Sequence, residues 1–154
     1  MKFLMLALVL GAIGFVLLAI GTKGFGFQLR YKAQPIMTPN EVEFFWRICE
    51  AVPTGYVFPQ VAMSALIQPD TAPGKRYMAA FGRIAQKRID YAVYDAAMTL
   101  RAVIELDDRT HNAKQDALRD SYLASAGIAT LRFQSKRKPS AAEIQTALQQ
   151  VQAP

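Results

Sequence analysis

Asp90, Glu105, Asp107 and the chain's single histidine, His111, are the side chains whose types and spacing could do chemistry together. The last three fall in IELDDRTH, where an apolar run turns abruptly into carboxylates. Like charges at the end of a buried strand repel one another, and burial raises their pKa, so such a group calls for water or a cation. Magnesium keeps several of its waters and typically takes only one or two protein carboxylates. Asp90 and Glu105 therefore suffice to hold Mg2+ (or Mn2+), with Asp107 as a third ligand or as the group that positions a water. A hard cation held this way acidifies water and neutralises charge on a phosphate, which are the two needs of phosphodiester hydrolysis. His111 fits a general base because imidazole titrates near neutral pH. Zinc would need more Cys or His than the chain has, and Cys49 lies on an apolar helix without a histidine near it in sequence.

For Asp90 and Glu105 to meet, two strands must pair. Arg88 to Tyr94 and Leu100 to Leu106 read as an antiparallel hairpin. With a two-residue loop (Ala97, Met98) position 90 opposes 105, and with a four-residue loop (Asp95 to Met98) it opposes 103. Opposed residues share a face, and so do residues two apart, so either loop puts Asp90, Glu105 and Asp107 on one face. An odd loop or a bulge breaks that parity. From about Thr110 to Ala126 the pattern is helical and stops at Gly127, a good left-handed cap. Ile128 to Phe133 is the next strand, and the strand–helix–strand order implies a crossover with parallel pairing between the Val103 and Leu131 strands. Asp107 and Asp108 also serve as capping residues ahead of this helix, which is sufficient for Asp108. Asp116, Arg119 and Asp120 sit at spacings that suit ion pairs along the helix, and Arg132 is placed to reach a phosphate or an acid.

Elsewhere Thr38-Pro39-Asn40-Glu41 is a capping box opening a helix that Pro53-Thr54-Gly55 stops, and Ser140 to Glu143 opens a last helix in the same way. Tyr56 to Val61 reads as a strand held to an edge or bulge by Pro59. A short helical piece follows near Ser64 to Ile67, and Arg76 to Gln86 is compatible with a second short helix. The fold class is α/β, a three-layer α/β/α sandwich with a mixed sheet. Arg83 and Lys87 belong to the most basic stretch of the chain, and Lys136, Arg137 and Lys138 follow the strand beside the acids. Both are candidates for nucleic-acid contact through phosphates, as well as for plain solvated surface.

The first quarter of the chain differs in character. Phe3 to Ile20 holds eighteen residues without a charge, and as a helix it spans roughly 27 Å, close to the hydrocarbon thickness of a bilayer. Residues 1–22 are expected to be a single-pass transmembrane anchor, 23–36 a juxtamembrane linker and 37–154 the folded domain. No A-x-A-like cleavage site follows the span, and the basic residues Lys23, Arg30 and Lys32 after it place the domain in the cytoplasm, at the inner membrane. The lone Cys49 agrees with a reducing compartment. The formal charge of +6 overstates the domain, because residues 1–33 remove four basic groups and leave fourteen against twelve acids. Bulk charge therefore does not announce nucleic-acid binding, and a local patch has to carry it.

Taken together, the strand with Asp90, the strand ending in Glu105-x-Asp107 and the crossover helix resemble the core of the restriction-endonuclease-like superfamily with its PD-(D/E)XK motif. IELDDRTH followed by KQDALRDSYLASAGIATLRF looks more closely like a bacterial domain of unknown function (of the family 2726 type) near that superfamily, and is similar to the very short patch repair endonucleases. The resemblance covers roughly Met37 to Ile144. It implies a Mg2+-dependent nuclease in which Asp90 and Glu105 are the motif's two acids. Asp107 stands where better-known members carry lysine, which puts the lysine's role in doubt. His111 matches a histidine held close to the metal, and Glu41 is similar to an assisting glutamate on the first helix, though its capping box accounts for it as well. Two readings follow: a membrane-anchored nuclease, or a catalytically inactive module of the same fold that binds nucleic acid or a protein partner at the membrane. A third is a small assembly factor dimerising through the span, where Ala7, Gly11 and Gly14 form a small-residue face.

Overall fold

A computed structural model describes residues 3, 5, 10–13, 15, 29–107 and 113–151. The chain divides into two compact units, Met1–Gln34 and Pro35–Pro154. In the first, the described residues at 3, 5, 10–13 and 15 are helical. The expected span from Phe3 to Ile20 lies largely outside the described residues, among which no helix is long and apolar enough to cross a membrane.

The second unit runs α1 (Pro39–Ala51), β1 (Tyr56–Ala62), α2 (Met63–Leu66), α3 (Lys75–Gly82), β2 (Arg88–Tyr94), β3 (Leu100–Asp107), α4 (Ala113–Ser125), β4 (Thr130–Gln134), a 3-10 turn (Ser135–Arg137) and α5 (Ala141–Gln150). Both capping boxes form: Thr38 with Glu41 on α1, and Ser140 with Glu143 on α5. Each satisfies two backbone donors that a helix start otherwise leaves open. The helix expected from Arg76 to Gln86 stops at Gly82, where Arg83 donates back to the Ala80 carbonyl.

The four strands form one mixed sheet in the order β1-β2-β3-β4, with the first two pairings antiparallel and β3–β4 parallel. Val103 pairs with Thr130 and Ile104 with Leu131, the parallel neighbours that a crossover demands. Gly127 closes α4 with φ +77°, a left-handed conformation that favours glycine, and Ile128 N–H returns to the Leu123 carbonyl at 3.0 Å.

Two apolar clusters fill the interior. Tyr91, Val93, Ile104 and Leu106 of the central strands pack with Phe44 and Ile48 of α1 and Ile144 of α5. Val103 packs with Leu123 of α4, Met63, Ile84 and Ile128. Along β3 the residues of the first cluster alternate with Val103, Glu105 and Asp107, which puts both acids on the α4 side of the sheet.

The hairpin reaches the expected register by an unexpected route. Its loop is odd: Asp95 N–H bonds the Thr99 carbonyl at 3.0 Å, leaving three residues between them, with Met98 left-handed at φ +61°. The Asp95 carboxylate ties the loop by accepting from Ala97 and Thr99 N–H, each at 2.9 Å. One step further the ladder carries a bulge, because Tyr94 pairs with Leu100 while Val93 pairs with Ala102, so Arg101 is the extra residue. The odd loop and the one-residue bulge offset each other, and Tyr91 pairs with Ile104 as a two-residue loop would give.

Candidate functional site

Extending that register by one residue sets Asp90 directly opposite Glu105. The β2–β3 ladder ends at Tyr91–Ile104, although β2 begins at Arg88 and β3 continues to Asp107. In the gap the Asp90 carboxylate replaces the backbone partner and accepts from Leu106 N–H through Oδ2 at 2.9 Å. Glu105 is 2 % exposed, the one polar or charged side chain among the buried described residues.

A buried carboxylate needs a counter-charge. Arg119 on α4 provides one, with Nη2 3.0 Å from Glu105 Oε2, and the side chains are 16 % and 3 % exposed. The other oxygen, Oε1, is buried and meets no donor. The carboxyls of Asp90 and Glu105 lie within hydrogen-bonding reach of each other. Burial first, and the neighbouring Asp90 second, push the Glu105 carboxyl up to about 8, against the pull of Arg119 and Arg132. Burial also raises Asp90, with the Leu106 N–H opposing. At neutral pH the pair therefore holds a proton where a cation would relieve the same repulsion.

Asp107, on the same face, is differently placed. Its Oδ1 is bound by Arg132 Nη1 at 2.7 Å, and Arg132 also grips Asp120 of α4 through Nε at 2.9 Å and Nη2 at 2.7 Å. Arg132 thus chooses acids rather than a free phosphate contact. Arg119 and Asp120, whose spacing suits ion pairs along their helix, both reach across to the sheet, to Glu105 and Arg132. Asp116's side chain, Asp108 and His111 lie outside the described residues.

Glu41 serves its cap and also stands near the pair. Its Oε2 accepts from Thr38 N–H at 2.5 Å, and its charge raises Asp90. Tyr91, fully buried, fixes this helix start by donating its hydroxyl to the Glu41 carbonyl at 2.8 Å. Gln60 is a neighbour that sequence reasoning missed. It lies between Pro59–Tyr91 and Val61–Ile89 in the β1–β2 register, hence opposite Asp90, and its amide donates to Glu41 Oε1 at 3.4 Å. Its φ of +54° inside a strand is rare for a residue with a side chain and concentrates at functional sites. Nothing in the residue type signals this; Pro59 before it, read as a mark of a bulge, is the nearest hint.

The basic residues separate. Lys136 and Arg137 are exposed on the turn after β4, at the strand end where Asp107 sits, and Ser135 in that turn accepts from the Asn40 amide at 2.7 Å. Lys138 turns to Glu43, which also binds Arg47, and is only 13 % exposed. Lys87 directly precedes β2 and Asp90, whereas Arg83 lines a separate cavity of about 340 Å³ with Ile67, Asp70 and Tyr122.

Among the described residues no three His, Cys, Asp or Glu side chains converge as a metal cluster. That excludes a zinc-type cage from them but fits magnesium, for which two carboxylates and water suffice. The unpartnered, buried Oε1 of Glu105 is the feature that a hard cation would satisfy.

The site is thus a buried acid pair in a mixed α/β domain. The model of a family described as proteins of unknown function, DUF2726, matches residues 33–151, and the chain belongs to that family. No curated protein and no solved structure matches it.

Proposed function

We propose that residues 37–154 form a restriction-endonuclease-like domain that hydrolyses phosphodiester bonds in nucleic acid with Mg2+ or Mn2+, anchored at the cytoplasmic face of the inner membrane by residues 1–22. The observation that carries this reading is the opposition of Asp90 and Glu105, both driven toward protonation, with a buried carboxylate oxygen that lacks a donor. Asp90 and Glu105 are the residues to hold the cation. A bound cation would supply an acidified water and charge neutralisation at the phosphate. Asp107, fixed by Arg132, supports the pair from one step further along β3, and Glu41 from the start of α1. His111 is assigned the proton. Lys136 and Arg137, with Lys87 just before the strand that enters the site, are suited to flanking phosphates; Arg83 and Lys138 are more distant or engaged contributors to that contact.

The test is cleavage of labelled DNA and RNA by the full chain with Mg2+ or Mn2+. Activity that Asp90→Asn and Glu105→Gln abolish supports the reading, and activity indifferent to Glu105→Gln refutes it. The alternative is an inactive module binding nucleic acid or a protein partner. It is favoured by one observation, the engagement of Asp107 by Arg132 where a catalytic lysine would stand. It expects binding without cleavage.

A further inference from the structure

Arg101, the extra residue of the β3 bulge, does not follow the alternation of its strand. Counting back from Val103, Glu105 and Asp107 would put it on the α4 side of the sheet. Instead it lines a cavity of about 320 Å³ together with Val93 and Leu148, which belong to the apolar cluster on the other side. Re-aiming a side chain is what a bulge does. Asp95, at the start of the hairpin loop, lines the same cavity. Because Asp95 pairs with Thr99, its backbone stands roughly 8 Å from that of Arg101, one strand across and two residues along, so the two side chains are within reach of each other. They form no ion pair, and among the described residues neither meets an opposite charge. The Asp95 carboxylate ties the loop through Oδ1 alone. Both side chains are half-buried, where an unpaired charge costs more than at the open surface.

The rest of the lining shows what would satisfy them. Val52, Tyr94 and Leu148 are apolar, the Gln145 and Gln149 amides stand one turn apart on α5, and the carbonyl end of α1 arrives at Ala51. A guanidinium suits a carboxylate, while a carboxylate and the negative end of a helix suit an ammonium. A ligand of one sign meets one attractive charge and one repulsive charge here; a ligand carrying both signs a few ångströms apart is attracted by both. We infer that this cavity binds a small zwitterion with an apolar side chain, an α-amino acid, whose carboxylate takes Arg101 and whose ammonium takes Asp95. The cavity lies at the opposite end of β2 from Asp90, and the inference does not depend on the reading of the acid pair.

The experiment is isothermal titration calorimetry of the full chain with L-leucine and L-phenylalanine, and with phenylpropanoate and phenethylamine, which each keep one of the two charges. At least one amino acid is expected to bind saturably, and both single-charge analogues about tenfold or more weakly. Arg101→Gln and Asp95→Asn are each expected to weaken the amino acid by about tenfold or more. Neither substitution removes a bond of the fold, since Arg101 has no partner and asparagine keeps the oxygen that accepts from Ala97 and Thr99. The analogue comparison on the wild type carries the test if a variant does not fold. Absence of saturable binding of both amino acids overturns the inference. So does phenylpropanoate or phenethylamine binding as tightly as L-phenylalanine, or undiminished amino-acid affinity in either folded variant.

Discussion

Asp90–Glu105–Arg119 and Asp107–Arg132–Asp120 each join two carboxylates and an arginine, two residues apart along β3, yet they are satisfied in opposite ways. In the second group the arginine meets both acids with three bonds of 2.7 to 2.9 Å, and all three side chains are between 23 % and 34 % exposed. In the first the acids face each other, one is nearly sealed from water, and an oxygen is left without a donor. The two groups differ in burial and in how the acids are arranged. An arginine placed between two carboxylates closes a cluster; an arginine at one end leaves a repulsive pair that a proton or cation must bridge.

The largest effect that can break this contrast is in pH dependence. Glu105 is raised from an ordinary carboxylate value near 4.5 to about 8, so its protonated form stabilises the fold fully below pH 4.5 and that stability is lost as pH rises toward 8. Without added divalent cation, denaturant titrations of the wild type should lose on the order of 2–4 kcal/mol across that window. Glu105→Gln should flatten the profile, matching the wild type near pH 5 and exceeding it at pH 8. A flat wild-type profile would mean that the pair is hydrated.

Next in size is the closed cluster. Arg132→Met should cost about 2 kcal/mol at neutral pH, less than a fully buried pair because the cluster is partly wet. A smaller effect belongs to Gln60. Gln60→Val should cost about 1–2 kcal/mol, since a β-branched residue resists a positive φ, whereas Gln60→Gly should stay within about 0.5 kcal/mol. Chemical denaturation of the three chains checks this.

Much of this geometry was legible in the sequence because it rests on local rules. Thr38 and Ser140 announce their helices through hydrogen bonds closed within four residues, and Gly127 announces a stop. The opposition of Asp90 and Glu105 was legible only in part: parity gave the shared face, but the actual loop has three residues and the register is restored by a bulge at Arg101. Neither the side-chain turn made by Asp95 nor the left-handed Met98 is dictated by alternation. What could not be read were pairings across the crossover. Arg119 and Asp120 have plausible partners on their own helix, and only the packing of α4 on β3 and β4 sends them to Glu105 and Arg132. Lys138 likewise resembles a phosphate contact until α1 brings Glu43 beside it.

The most direct test of the central claim is the thermal midpoint of the full chain with and without Mn2+ near pH 7.5, in the wild type and in Asp90→Asn and Glu105→Gln. A ligand at a hundred times its dissociation constant stabilises by about 2.7 kcal/mol, which is several degrees for a domain of this size. The account predicts that Mn2+ raises the wild-type midpoint by such an amount. It also predicts that Glu105→Gln raises the metal-free midpoint yet abolishes the response, and that Asp90→Asn abolishes it as well. A wild-type midpoint unmoved by Mn2+, or a response that survives both substitutions, would contradict it.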